Sequence, residues 1–197
     1  MFKDGFSYLI ANKKLLHLIL LHAAIGLTSF DALITLLADF KYKEFIAVPL
    51  AIGWMNATRA IGLMIGPFLI SRIISKKNLH YFFLMQGLAI ILWSMLEYNF
   101  YLALISVFIT GFFITTLWSY TYLLIQEETD AQYMGRVISY NDMFFMLSNV
   151  ATAMFIGYAS KWGLSLEGIT FTLGFGFIMV AGYYLWFKIR YLDEENK

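Results

Sequence analysis

The chain contains no cysteine and only two prolines, and charged residues make up just 14% of it. Without cysteine there are no disulfides, no thiolate metal sites and no cysteine nucleophile. Soluble domains carry about 25% charged residues, so a chain this short of charge lacks the surface chemistry of a soluble protein. The formal net charge of +1 argues against nucleic acid as a partner. There is no Gly-x-Ser-x-Gly elbow, no phosphate loop and no His-Glu-x-x-His pair. No catalytic residues, metal or cofactor are therefore expected, and the chain does not read as an enzyme.

What is present is apolar. Hydrophobic residues make up 60% of the 197, aromatics 19%, and the mean hydropathy is +0.70. A chain of this size has too little interior to hide so much apolar surface, so it reads as an all-α integral membrane protein. The apolar runs are continuous and lack period-two alternation, which argues against a β-barrel. A helix needs roughly 20 residues to cross a hydrocarbon core. Six stretches qualify, at about 15–38, 46–71, 79–96, 101–125, 137–159 and 169–187. The first is too long for a signal peptide, and no small-residue cleavage site follows it. Residues 1–14 mix charges with Phe2, Phe6, Tyr8, Leu9 and Ile10, as a short interfacial or linker helix does. Residues 188–197 form a polar tail.

Loop cations set the expected orientation. With the N-terminus cytoplasmic, ten Lys and Arg residues fall inside: Lys3, Lys13, Lys14, Arg72, Lys76, Lys77, Arg136, Lys188, Arg190 and Lys197. Only three, Lys41, Lys43 and Lys161, fall outside. That bias predicts a multi-pass protein of a bacterial-type cytoplasmic membrane, with both termini in the cytoplasm.

The fourteenth cation is Arg59, in the middle of IGWMNATRAIGLMIG. A charge at mid-bilayer costs about 2.5–3.5 kcal/mol on insertion scales and normally faces a bundle interior or a water-filled cavity. Arg59 shares a helix face with Asn56, Gly62 and Gly66, a small and polar stripe that lets a neighbouring helix come close. It reads either as half of a structural ion pair or as part of a substrate or proton pathway. Its natural partner is Asp31, which shares a face with Thr28 and Thr35 in the first span. Asp31 and Arg59 are expected either to form an exchangeable pair, with Asp31 taking up a proton when it breaks, or to leave Asp31 in a wet vestibule.

Other polar residues fall within the spans. His22 suits proton relay but equally suits a plain interhelical hydrogen bond. It lies five residues from His17, which turns the two rings apart. Tyr120, with Thr116 one turn before it, and Asn149, with Thr152 one turn after it, are pore-lining candidates or interhelical glue. Trp93, Trp118, Trp162 and Trp186 read as interfacial belts at span ends.

Three segments resemble the second half of drug and siderophore exporters of the major facilitator superfamily. KDGFSYLIANKKLLHLILL resembles their linker helix and seventh span. GLMIGPFLISRIISKKN resembles the end of their eighth span and its basic loop. QEETDAQYMGRVIS resembles the loop between their tenth and eleventh spans. There Gln126 opens an acidic turn, Gly135 gives a tight helix start, and Arg136 reaches lipid phosphate or the partner half. The resemblance implies a bundle of two inverted three-helix repeats. It also implies alternating-access, proton-coupled efflux of an amphipathic small organic molecule. Only the second half of such a carrier is represented, so the chain is expected to work with a separate N-terminal half or as a homodimer. The competing expectation is a non-transporting membrane protein, a remnant of a split gene or a scaffold.

Overall fold

The computed structural model describes residues 2–192, with side chains from residue 7 onward. The side chains of Phe2, Lys3 and Phe6, and residues 193–197 of the expected tail, with Lys197, lie outside what it describes. Among the described residues every regular element is helical. Helix α1 covers Phe2–Ala11. The first span is built from α2 (Lys13–Ala23), a 3-10 turn (Ala24–Thr28), α3 (Asp31–Leu37) and a π-helical end (Ala38–Tyr42). The remaining spans are α4 (Val48–Ile70), α5 (Leu79–Leu96), α6 (Phe100–Glu127), α7 (Met134–Lys161) and α8 (Leu166–Phe187). A π-helical turn, Lys188–Leu192, follows α8. Among the described residues six segments are long and apolar enough to cross a membrane. Large apolar side chains such as Phe68, Met64, Met146 and Val150 stand exposed on them. In water such patches would drive association; a lipid bilayer is the environment they fit.

Local chemistry sets the ends. The Asn12 side chain accepts from the Leu15 amide at 3.0 Å, and Asn99 accepts from Tyr101 and Leu102 at 3.0 and 3.2 Å, so each caps the helix after it. Pro49 sits at the start of α4, where a missing N–H is harmless. Gly163 ends α7 with φ of 85°, the one positive φ among the described residues. Its amide bonds the Ser160 carbonyl and the Leu164 amide bonds that of Ala159, which closes a Schellman turn.

Glycines decide which spans touch. Gly62 and Gly66 of α4 lie directly on the backbone of α6 at Phe108 and Phe112, and Gly111 of α6 lies on the Arg59 carbonyl. At a second crossing, Gly87 of α5 meets Gly174 of α8; a Cβ on either would come within 2.9 Å of the other's carbonyl oxygen. At a third, Gly26 faces Ser148 of α7. The bundle is therefore organised as α4 on α6, α5 on α8, and the first span on α7.

Both ends of the bundle are tied by polar contacts. At the end that holds α1 and the turn after α8, Tyr8 stacks on Tyr133 with centroids 4.2 Å apart, and Lys14 pairs with Glu128 at 2.9 Å. Leu9 is buried there, so α1 is docked against the bundle rather than lying free on a surface. At the opposite end Glu97 is fully buried. It accepts from Lys41 at 3.0 Å and from the Thr170 hydroxyl at 2.8 Å, while its backbone carbonyl accepts from the Tyr42 hydroxyl at 2.7 Å. Lys41 also pairs with Glu167. This knot joins the first, third and sixth spans.

The first span departs from the sequence reading. A continuous helix over 15–38 is expected, yet the helix stops at Thr28 and restarts at Asp31. The Thr28 hydroxyl turns back on the Ile25 carbonyl at 2.8 Å, Ser29 N–H bonds the Gly26 carbonyl, and Phe30 N–H bonds that of Thr28. These short-range bonds replace the i to i−4 ladder, as small hydroxyl residues allow. Two tryptophans also depart. Trp93 is fully buried, edge-on to Phe30 at 5.1 Å, and Trp118 is half-buried well inside α6, whereas Trp162 and Trp186 are exposed. An indole packs in the core when a neighbouring ring offers it an edge or a face.

Candidate functional site

A helix broken inside a membrane leaves backbone groups that lipid cannot satisfy, so such breaks survive only against protein or water. Here the break is served by Arg59. Its terminal amino nitrogen donates to the Thr28 carbonyl at 3.0 Å, and the guanidinium lies 5.3 Å from the centre of the Phe30 ring. A cation at the carbonyl end of a helical segment is favoured by the local dipole, and a guanidinium over an aromatic face gains further. The charge at the centre of α4 thus sits at the gap in the first span.

Around this contact lies a cavity of about 470 Å³. Ile25, Thr28, Ser29 and Asp31 line it from the first span, and Arg59 and Leu63 from α4. Ile114, Thr115 and Trp118 of α6 and Phe145 and Asn149 of α7 complete it. The Trp118 and Phe145 rings meet almost perpendicular, 88° apart with centroids 4.3 Å from each other, and make an aromatic corner. Two polar groups on the wall have no partner: Arg59 Nε and the Thr115 hydroxyl are buried and unbonded.

The sequence candidates separate clearly against this geometry. Asp31, Arg59 and Asn149 come together on the one cavity. Asp31 and Arg59 do not make an ion pair at contact distance; Asp31 is exposed on the first turn of α3, and the nearer acceptor for Arg59 is the Thr28 carbonyl. His22 is fully buried immediately behind the cavity wall, 4.6 Å from Trp118 and 5.9 Å from Phe145 by ring centroids. Its Nδ1 bonds Thr121 Oγ1 at 2.8 Å. That hydroxyl already donates to the Leu117 carbonyl. It therefore accepts from His22 Nδ1–H, which leaves Nε2 as a bare, unpartnered acceptor. His17 points elsewhere, among Tyr183, Trp186, Phe187 and Tyr191.

The chain matches no family model, no curated protein and no solved structure.

Asn56 and Tyr120 do not line the cavity. Tyr120 instead lies near Lys76, at the end that carries α1. Gln126, Gly135 and Arg136 are also at that end, far along the bundle from the break. Gly135 is the second residue of α7 with an ordinary helical φ, and a Cβ there would meet nothing within 4 Å. The start of α7 therefore makes no demand for glycine, and the tight helix start expected of it is not used. Arg136 lies 5.9 Å from the ring of Tyr133, the ring on which Tyr8 stacks. Thr115, which stands beside the pore-lining candidates Thr116 and Tyr120 in the sequence, is on the wall, but sequence reasoning missed Trp118 and Phe145 there. The aromatic density of α6 and α7 was the available signal, but nothing in it marks which rings face inward.

Proposed function

We propose that the chain is one six-helix half of a membrane carrier of the major facilitator type. In this reading it moves an amphipathic small organic molecule outward across a bacterial-type cytoplasmic membrane in exchange for protons, with both termini in the cytoplasm. One observation carries the proposal: Arg59 and Thr115, each with a buried polar atom that has no partner, line a cavity of about 470 Å³ at a break in a membrane-spanning helix. Discontinuous spans with free backbone ends are a recurrent way of building binding sites in carriers.

The packing supports the inverted-repeat part of the reading. Exchanging spans one to three with spans four to six turns the α4–α6 contact into that between the first span and α7. The α5–α8 contact maps onto itself. Burial supports the half-carrier part. The α4 and α7 segments are each 17% buried, against 39–61% for the other four, and these two flank the cavity. A second six-helix body, either a separate N-terminal half or a second copy of this chain, would cover those faces and complete the site.

The test is in two steps. Differently tagged copies, expressed together with and without the frame directly upstream of the gene, are purified from membranes; copurification identifies the second body. That assembly is then placed in vesicles containing a pH-sensitive dye. Proton movement on addition of an amphipathic aromatic substrate, lost in Arg59→Met, is the expected result. A strictly monomeric chain with no coupled flux overturns the carrier reading and leaves a scaffold or remnant.

A further inference from the structure

The cavity has a chemical polarity that goes beyond the general carrier reading. Arg59 keeps its charge in the middle of a 23-residue span, and among the described residues no carboxylate reaches it at ion-pair distance. One amino group is used on the Thr28 carbonyl. Nε is buried with no partner, and nothing among the described residues bonds the other amino group. A guanidinium offers its N–H donors in a fixed planar fork that matches a carboxylate. The Thr115 hydroxyl on the same wall is likewise unbonded. The unmet groups at this depth are thus a cation, its N–H donors and a hydroxyl.

Asp31 is the charge of opposite sign on the same cavity, and it attracts Arg59. It stands exposed, at the rim, where water can solvate it. The deep charge therefore decides what the cavity holds. Beside it the perpendicular rings of Trp118 and Phe145 form a corner, closed by the aliphatic side chains of Ile25, Leu63 and Ile114. A flat aromatic body can stack on one ring and present its edge to the other.

We propose that this cavity binds an aromatic organic anion, its carboxylate on Arg59 and Thr115 and its ring system in the corner of Trp118 and Phe145. The volume suits a bicyclic molecule, since small-ligand sites run from about 300 Å³ upward. The proposal rests on the carrier reading only for the anion's being cargo; binding stands or falls separately from transport.

The experiment is calorimetric titration of the full chain in lipid nanodiscs with three probes of one shape: 2-naphthoate, 2-naphthamide and 2-naphthylmethylammonium. The expected order is naphthoate tightest, amide weaker, and the ammonium weakest. Arg59→Met should weaken naphthoate about a hundredfold and leave the amide nearly unchanged, while Arg59→Lys should recover part of the loss. Thr115→Val, a near-isosteric change, should weaken naphthoate about fivefold. If Arg59→Met fails to fold, the three-probe order and the Thr115→Val effect decide. Preference for the ammonium, lost in Asp31→Asn, would overturn the proposal and make Asp31 the recognition group. Equal binding of all three probes, or none, would also overturn it. Selective naphthoate binding without flux in vesicles would keep the proposal and remove only the carrier reading.

Discussion

The guanidinium of Arg59, on the second membrane span, donates to the carbonyl oxygen of Thr28 on the first at 3.0 Å. One contact thereby answers two problems at once. It gives a mid-membrane cation a partner that is not a carboxylate, and it occupies the carbonyl freed where the first helix stops. Alone in lipid the charge would be unsolvated, and the Thr28 carbonyl would keep only the Phe30 amide. Their coincidence places a polar cavity at the centre of an otherwise greasy bundle.

If this contact holds the break closed, Arg59→Met should loosen it locally. Amide exchange by mass spectrometry should speed up across residues 24–31, while the far end of α5 around residues 79–83, which packs on Tyr184 away from the break, keeps its rates. The lost hydrogen bond to a charged donor is worth about 1.5–3 kcal/mol, enough for a tenfold rise in exchange or more. Unchanged protection over 24–31 would mean that the break is set by its own hydroxyls alone.

The glycines divide into two classes, those at helix crossings and those facing open space. Gly62 and Gly66 lie on the backbone of α6, where no side chain can fit without moving the helices apart. Gly62→Leu should cost on the order of 3 kcal/mol and lower the thermal midpoint in detergent sharply. Gly174→Leu should do the same at the other crossing, where Gly87 and Ile91 stand in the way. Gly53→Ala, facing open space on the same α4, should be neutral or stabilise by up to about 1 kcal/mol. Similar effects at Gly53 and Gly62 would contradict the helix crossing.

Glu97 gives the expected pH dependence. Burial pushes its carboxyl up from the ordinary range, outweighing the hydrogen bonds from Thr170 and Lys41 that hold it down. Nearby Glu167 raises it further, and Lys41 lowers it by its charge. The folded-state value is therefore above the unfolded one. The group's contribution to stability is full in acid, below the ordinary glutamate value, and is lost as pH rises through the raised value. The thermal midpoint should fall over that window. Glu97→Gln should flatten the slope and melt higher than the parent at neutral pH. An unaltered slope in Glu97→Gln would assign the pH dependence to other groups. Glu97→Ala, which leaves Lys41 and Thr170 facing a void, should be destabilised at every pH.

Span number and orientation can be read by labelling, because the chain has no cysteine of its own. Single cysteines replacing Lys43 or Lys161 should react with an impermeant maleimide in intact cells. Cysteines replacing Lys77 or Arg136 should react only after permeabilisation. Reaction of all four from one side would rule out the six-span path.

Much of the scaffold was legible because a bilayer makes a blunt demand. Twenty or so apolar residues in a row are hard to mistake, and α5 runs over Leu79–Leu96 as its sequence implies. Arg59 was legible for the same reason, as a charge where none is cheap. The break at Gly26–Phe30 was not, because glycine, threonine and serine are common in continuous membrane helices too. Local hydroxyl and amide bonds form the break, while the contacts that meet it, Ser148 at Gly26 and Arg59 at the Thr28 carbonyl, are not local in sequence. Glu97 stood at the edge of an apolar run and read as a loop residue, yet the fold buries it beneath Lys41 and Thr170. Trp118 read as a belt residue, but the neighbouring α7 supplies Phe145 at a right angle to it and turns both into the cavity wall.

The most direct test asks whether the centre of the bundle is wet at Arg59. Single cysteines are placed at Leu63, Thr115 and Asn149 on the cavity wall and at Met64 and Phe68 on the exposed apolar face. Each protein in membranes is treated with a charged, water-borne methanethiosulfonate. Reaction at Leu63, Thr115 and Asn149, with Met64 and Phe68 silent, is the result that a hydrated cavity at the break requires. Silence at all five positions would mean that Arg59 faces a dry interior, and the site described here would not exist.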